Sequence, residues 1–89
     1  MTSRTTARFR RAYAELPDRV RYQAREAYRT FQRDPQHPSL RFKPVHPTRP
    51  IYSARVGLGY RALAVREGEA WVWFWIGSHA DYDRLLQRR

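Results

Sequence analysis

Five of the chain's six prolines fall within one short stretch, at positions 35, 38, 44, 47 and 50. Proline has no amide hydrogen and a fixed φ, so this stretch admits neither a helix nor a central strand. It therefore separates an N-terminal part in which helical periodicity can run freely from a C-terminal part that must be read independently. Within the proline segment itself an edge strand over residues 40–45 is the most that the backbone allows.

Upstream, Phe9, Tyr13 and Leu16 recur at i, i+4 and i+7, which predicts a helix over residues 6–16 with Thr5 or Thr6 as its N-cap. Leu16-Pro17-Asp18 then breaks and restarts the helix, since proline suits a first helical position and an early aspartate suits the positive end of the helix dipole. The second helix runs to Gln32 or Arg33, with Val20, Ala24, Ala27, Tyr28 and Phe31 on its inward face. Two helices joined so closely form an αα-hairpin.

Downstream, residues 51–57 and 60–66 flank Gly57-Leu58-Gly59, a loop of hairpin type, and Glu67-Gly68-Glu69 makes the next turn before an apolar strand over 70–76. Simple alternation sends Trp71, Trp73 and Trp75 to one face of that strand and Val72, Phe74 and Ile76 to the other. One set meets the helices; the other is an aromatic platform for bases, a docking surface, or the covered far side of the sheet. Ser78-His79-Ala80-Asp81 has the form of a capping box, and Tyr82, Leu85 and Leu86 give the following short helix an apolar side. The order α-α-β-β-β-β-α predicts one α+β domain over residues 1–89. Its helical hairpin packs on a mainly antiparallel four-stranded sheet and a short helix closes the chain.

The chemistry open to such a domain is narrowed by composition. There is no cysteine, hence no disulfide framework or thiolate metal site, and His37 and His46 lack a second ligand at zinc spacing. No metal and no cofactor is expected; a glycine-rich phosphate loop and a G-x-S-x-G elbow are both missing. The apolar run is too short to span a bilayer, and residues 1–11 carry no signal-type apolar stretch, so a cytoplasmic protein without membrane partners is expected. Net charge is +10, from 18 basic and 8 acidic residues, and Lys43 is the one lysine among 17 arginines. Arginine's planar fork fits phosphate bidentately, so the excess points to RNA, DNA or an acidic protein.

Several residues stand out against this background. Arg55 and Arg61 sit inside otherwise apolar strands, where an unpaired cation is costly, so each needs a carboxylate or a phosphate unless it simply faces solvent beside the turn. His79, Tyr82 and Asp83 fall on one side of the last helix, and imidazole is the usual general acid or base near neutral pH. Arg21, Arg25, Arg29 and Arg33 form a stripe roughly 18 Å long on the second helix, suited either to tracking a phosphate backbone or to facing water.

Taken in order, several segments make the chain resemble the RelE/ParE superfamily of type II toxin-antitoxin toxins over nearly its whole length. They are the helical hairpin broken at Leu16-Pro17, His37-Pro38-Ser39-Leu40 with Arg41-Phe42-Lys43, the hairpin from Tyr52 to Arg61, and the closing Ile76-Gly77-Ser78-His79-Ala80-Asp81-Tyr82. That closing stretch looks most like the YafQ type of ribonuclease toxin. The resemblance implies a ribosome-dependent endoribonuclease that cuts mRNA without a metal and is silenced by a cognate antitoxin. It implies His79 as general acid or base, Arg61 and Arg55 as phosphate stabilisers, and Tyr82 as an orienting or stacking group. Lys43 is a further candidate cation, Asp83 a candidate orienter of His79, and Arg21, Arg25, Arg29 and Arg33 candidate contacts to ribosomal RNA. A departure from the lysine-rich RelE pattern leaves the first proton acceptor open. The alternatives are a ParE-like inhibitor of DNA gyrase and a basic RNA-binding module without catalysis.

Overall fold

Thr6 begins the first helix: its hydroxyl accepts the Phe9 amide at 3.1 Å, an N-cap that fixes the start of α1 (Ala7–Ala14). The computed structural model describes residues 2–87. Pro17 then stands at the N-cap of α2 (Asp18–Arg33), whose first turn carries Asp18. The junction between the helices is held by Arg21, which donates to the Ala14 and Leu16 carbonyls at 3.1 and 2.6 Å and pairs with Asp18. Carbonyls at a helix end have no partner within the helix, and this guanidinium supplies one.

After α2 the proline segment yields a short 3-10 turn over Pro38–Leu40, a left-handed Arg41 (φ 46°), and a strand of only two residues, β2 (Lys43–Pro44). The expected edge strand is thus shorter than residues 40–45, because the turn consumes its first half. His37 and His46 close turns here, each accepting backbone amides through Nδ1. β3 (Ile51–Val56), β4 (Tyr60–Glu67) and β5 (Ala70–Ser78) follow as an antiparallel meander, and α3 (His79–Gln87) ends the described chain.

A fifth strand joins them. β1 (Thr2–Thr5) lies parallel to β5, pairing Thr2 with Ala70 through Thr5 with Trp73, so the sheet order is β1-β5-β4-β3-β2. The four-strand expectation omitted it because a short polar segment carries no alternation of its own; its pairing comes from β5, nearly seventy residues away. Trp73 fastens it further by donating its indole N–H to the Ser3 hydroxyl at 2.9 Å.

α1 and α2 cover one face of the sheet. Ala54, Val56, Ala62, Ala64, Trp71, Trp73 and Ile76 meet Val20 and Phe31 from α2 and Leu40 from the turn. Small alanines on β3 and β4 leave room for Phe31, whose ring stands edge-on to Trp73 at 5.2 Å and to Phe42 at 5.0 Å. Tyr28, expected on the buried face, is 37% exposed. It lines a mainly apolar cleft of about 700 Å³ that remains between helices and sheet.

Alternation fails once in β5, with large consequences. Leu63 pairs with Trp75 and Ala64 with Trp73, which leaves Phe74 opposite no residue of β4. Such a bulge inserts one residue and reverses the facing of everything after it. Trp71, Trp73 and Ile76 therefore share the helix side, while Trp75 turns to the opposite face. The three tryptophans do not line one face.

Candidate active site

The sheet's second face can be read from its register, because residues directly opposite each other in antiparallel strands project to the same side. One row runs Lys43, Ser53, Leu63, Trp75 across β2 to β5. The next, about 7 Å nearer the β3–β4 loop by two strand residues, runs Arg55, Arg61, Gly77. Lys43, Arg55 and Arg61 are thereby gathered on one face by pairing alone.

Arg55 and Arg61 lie directly opposite each other, a like-charge pairing that is unfavourable in a sheet without an anion between the charges. Arg55 directs its Nε to the Gly57 carbonyl at 3.1 Å, in the loop that Gly57 closes with φ 58°. Arg61 lies under the Tyr82 ring, 5.5 Å from guanidinium carbon to ring centroid. Its Nη1 is buried and has no hydrogen-bond partner among the described residues. No carboxylate reaches either arginine in the described ion pairs. Ser53, fully buried in the adjoining row, also has an unsatisfied hydroxyl.

α3 brings the remaining groups to this end. Ser78 caps it, accepting the Asp81 amide at 3.1 Å, and the His79 amide donates to the Gly59 carbonyl at 2.8 Å. The helix start is thus tied to the β3–β4 loop, beside Arg55 and Arg61. His79 Nε2 lies 3.5 Å from Asp83 Oδ2, one turn on, and both side chains are about half exposed. The imidazole stands 5.9 Å from the buried Tyr82 ring, and Tyr82 in turn lies 6.4 Å from Trp75. A solvent-accessible imidazole, two strand arginines and a phenol therefore converge at one end of one face, an arrangement able to move a proton beside a bound phosphate.

Arg21, Arg25, Arg29 and Arg33 do not act as one open stripe. Arg21 is committed to the helix junction, Arg25 donates to the Tyr13 hydroxyl at 2.8 Å, and Arg29 pairs with Glu26. Arg25 and Arg29 are exposed and line the apolar cleft, as do Arg4 and Arg10. Arg33 is exposed at the end of α2.

Two features of the site escaped the sequence reading: Ser53, and the contact between Trp75 and Gly77. A Cβ on Gly77 would stand 2.8 Å from Cη2 and Cζ2 of Trp75, so the indole lies over this glycine. An isolated glycine within an apolar strand is itself a signal of bulge or close approach, and Gly77 carries it.

The fold recurs in known proteins. The RelB-RelE antitoxin-toxin complex of Methanococcus jannaschii contains a chain that superposes with a TM-score of 0.72 at 17% identity, covering 90% of this chain and 95% of that one. The RelBE2 complex of Mycobacterium tuberculosis gives 0.69 at 29% identity over 88% and 96%. YafQ of E. coli gives 0.68 at 10% identity over 90% and 94%. No curated protein sequence matches significantly. Among the described residues no helix is long and apolar enough to cross a membrane. The profile of the ParE-like toxin domain matches residues 18–84, three quarters of the chain, and with the shared architecture it places the protein in the RelE/ParE superfamily of type II toxin-antitoxin toxins.

Proposed function

We propose that this toxin is an endoribonuclease that cuts mRNA on the ribosome, with its active site on the face carrying Arg55, Arg61, His79 and Tyr82. The observation that carries this reading is the opposed pair Arg55 and Arg61, two guanidiniums with no carboxylate partner among the described residues and one of them with a buried unsatisfied donor. A phosphodiester bound beside them would relieve their repulsion.

The chemistry asks little more. The 2′-hydroxyl loses a proton as its oxygen bonds to phosphorus, the P–O5′ bond breaks, and O5′ takes up a proton as it leaves. The products are a 2′,3′-cyclic phosphate and a 5′-hydroxyl. His79 either removes the first proton or supplies the last, held in orientation by Asp83. Arg61 and Arg55 offset the charge that builds on the phosphoryl oxygens, and Tyr82, its ring over the Arg61 guanidinium, orients that cation. Lys43, one row away on the same face, adds a cation along the RNA. Arg25, Arg29 and Arg33 lie outside this face and serve as longer-range attraction to ribosomal RNA, which weakens as salt rises.

A cognate antitoxin fits the opposite side. The apolar cleft lined by Phe9, Tyr13, Tyr28 and Val56 and carrying exposed Arg4, Arg10, Arg25 and Arg29 suits an amphipathic segment with acidic flanks.

Primer extension on a defined mRNA, with ribosomes present and absent, tests the reading. Cuts that require ribosomes and disappear in His79→Ala are expected; equal cutting by that variant overturns the assignment. The ParE-like family profile favours a second reading, in which the same cationic face holds DNA gyrase. Supercoiling inhibition by purified toxin together with intact mRNA would establish it.

A further inference from the structure

We infer that Trp75 is the platform on which the RNA base beside the scissile phosphate stacks, and that it biases the toxin toward purines. The inference rests on the ribonuclease reading above and adds a specificity residue to it.

Three observations carry it. First, the bulge at Phe74 moves Trp75 away from the core tryptophans and onto the face with Arg55 and Arg61. Trp71 and Trp73 are 7% and 4% exposed, whereas Trp75 keeps part of its surface open. A bulge beside a site is a recurrent way to re-aim one side chain. Second, the indole is laid over Gly77, with Cη2 and Cζ2 2.8 Å from where a Cβ would stand. Gly77 is the direct cross-strand partner of Arg61, so the ring's six-membered half reaches the row that carries the phosphate-binding cations, about one strand spacing (~4.8 Å) away. Third, Tyr82 lies 6.4 Å from the indole and tilted 42° to it, while the same Tyr82 ring covers Arg61. Indole, phenol and guanidinium therefore border one place.

The chemistry of the reaction needs such a surface. Attack by the 2′-oxygen requires that one nucleotide be turned out of the continuous stack so that the oxygen, phosphorus and O5′ come into line. RNA-binding surfaces hold a base in that state by stacking it on an aromatic ring. A purine offers the larger π-face, so an indole platform favours purine over pyrimidine without any hydrogen bond to the base edge.

The test compares wild type with Trp75→Phe, Trp75→Leu and Gly77→Ala, after thermal melts establish that each variant folds. Cut positions on a defined, ribosome-loaded mRNA are mapped by primer extension. In parallel, affinity is measured for 2′-O-methyl tetranucleotides of adenosine and of cytidine, which bind but have no free 2′-hydroxyl to react. Wild type is expected to cut beside purines more often and to bind the adenosine probe more tightly. Trp75→Leu should lower cleavage at purine sites and adenosine-probe affinity by about tenfold and bring the two bases level, with Trp75→Phe retaining most of the preference. Gly77→Ala, which removes no chemical group but displaces the ring, should shift selectivity in the same direction. A variant that merely loosened packing would depress cleavage evenly at all bases, and that outcome overturns the inference. So does an unchanged purine-to-pyrimidine ratio in Trp75→Leu. If wild type cuts no RNA at all, the ribonuclease reading falls; the tetranucleotide affinities still decide the platform, which fails if adenosine and cytidine bind alike or if Trp75→Leu leaves their ratio unchanged.

Discussion

On the helix side of the sheet, Trp71, Trp73 and Phe42 surround Phe31 with edge-on rings, the alanines of β3 and β4 make room for them, and the Trp73 indole N–H finds the Ser3 hydroxyl. On the other side, a few ångströms away, Arg55 faces Arg61, a guanidinium nitrogen and a serine hydroxyl are buried without acceptors, and a glycine is overlaid by an indole. Burial of apolar rings with matched shapes stabilises a fold, whereas opposed cations and unsatisfied donors cost stability. The contrast teaches that the first face packs its rings with their partners satisfied, whereas the second, although it also buries Leu63, Val72 and Tyr82, tolerates opposed cations and unsatisfied donors, as expected of a surface shaped for a charged ligand.

The contrast can be broken from either side. His79→Ala should slow cleavage by about 10²- to 10⁴-fold while leaving the urea midpoint where it was, since the imidazole is half exposed and touches little of the core. Phe31→Ala should do the reverse in kind, removing about 3–5 kcal/mol of stability in a urea titration, enough to unfold much of a chain this small. Arg61→Met sharpens the comparison, because Arg61 is partly buried with one Nη1 that has no acceptor, a cost that an apolar chain does not carry. Stability should hold or rise by about 1 kcal/mol in the same titration while RNA cleavage falls at least ~10²-fold. Smallest of all, Ser53→Ala should leave stability within about 0.5 kcal/mol or raise it slightly, because the hydroxyl it deletes has no acceptor to lose. A marked destabilisation by Ser53→Ala would show that the second face is better satisfied than its geometry indicates.

Legibility in the sequence followed the range of the interaction responsible. The Thr6 and Ser78 caps, the restart at Pro17 and the β3–β4 hairpin depend on residues a few positions apart, and each reads directly from its local pattern. The placement of Arg55, Arg61, His79 and Tyr82 at one end of the sheet was also legible, since hairpin register and helix periodicity are short-range rules. β1 was not, for its hydrogen bonds lie on β5 and its own four residues are polar. Neither was the facing of Trp75. Alternation assumes one residue against one, and the two-against-one step at Phe74 is a property of the pair of strands rather than of either alone. Arg21 shows a third limit: an arginine on a periodic stripe looks the same in sequence whether it meets water, phosphate or the carbonyls of a neighbouring helix.

The sheet order carries a temporal meaning. Among the described strands β5 follows all the others in sequence, yet it lies between β1 and β4. As the chain leaves the ribosome, β1 lacks its β5 partner and Phe31 has no tryptophan to meet until translation has passed Trp71. The arginine pair can form with the β3–β4 hairpin, but the His79 helix that completes the site follows β5 directly. Assembly of the site is thereby deferred until β5 and α3 have both been made, and a refolding experiment on chains truncated before Ala70 should yield no cooperative transition.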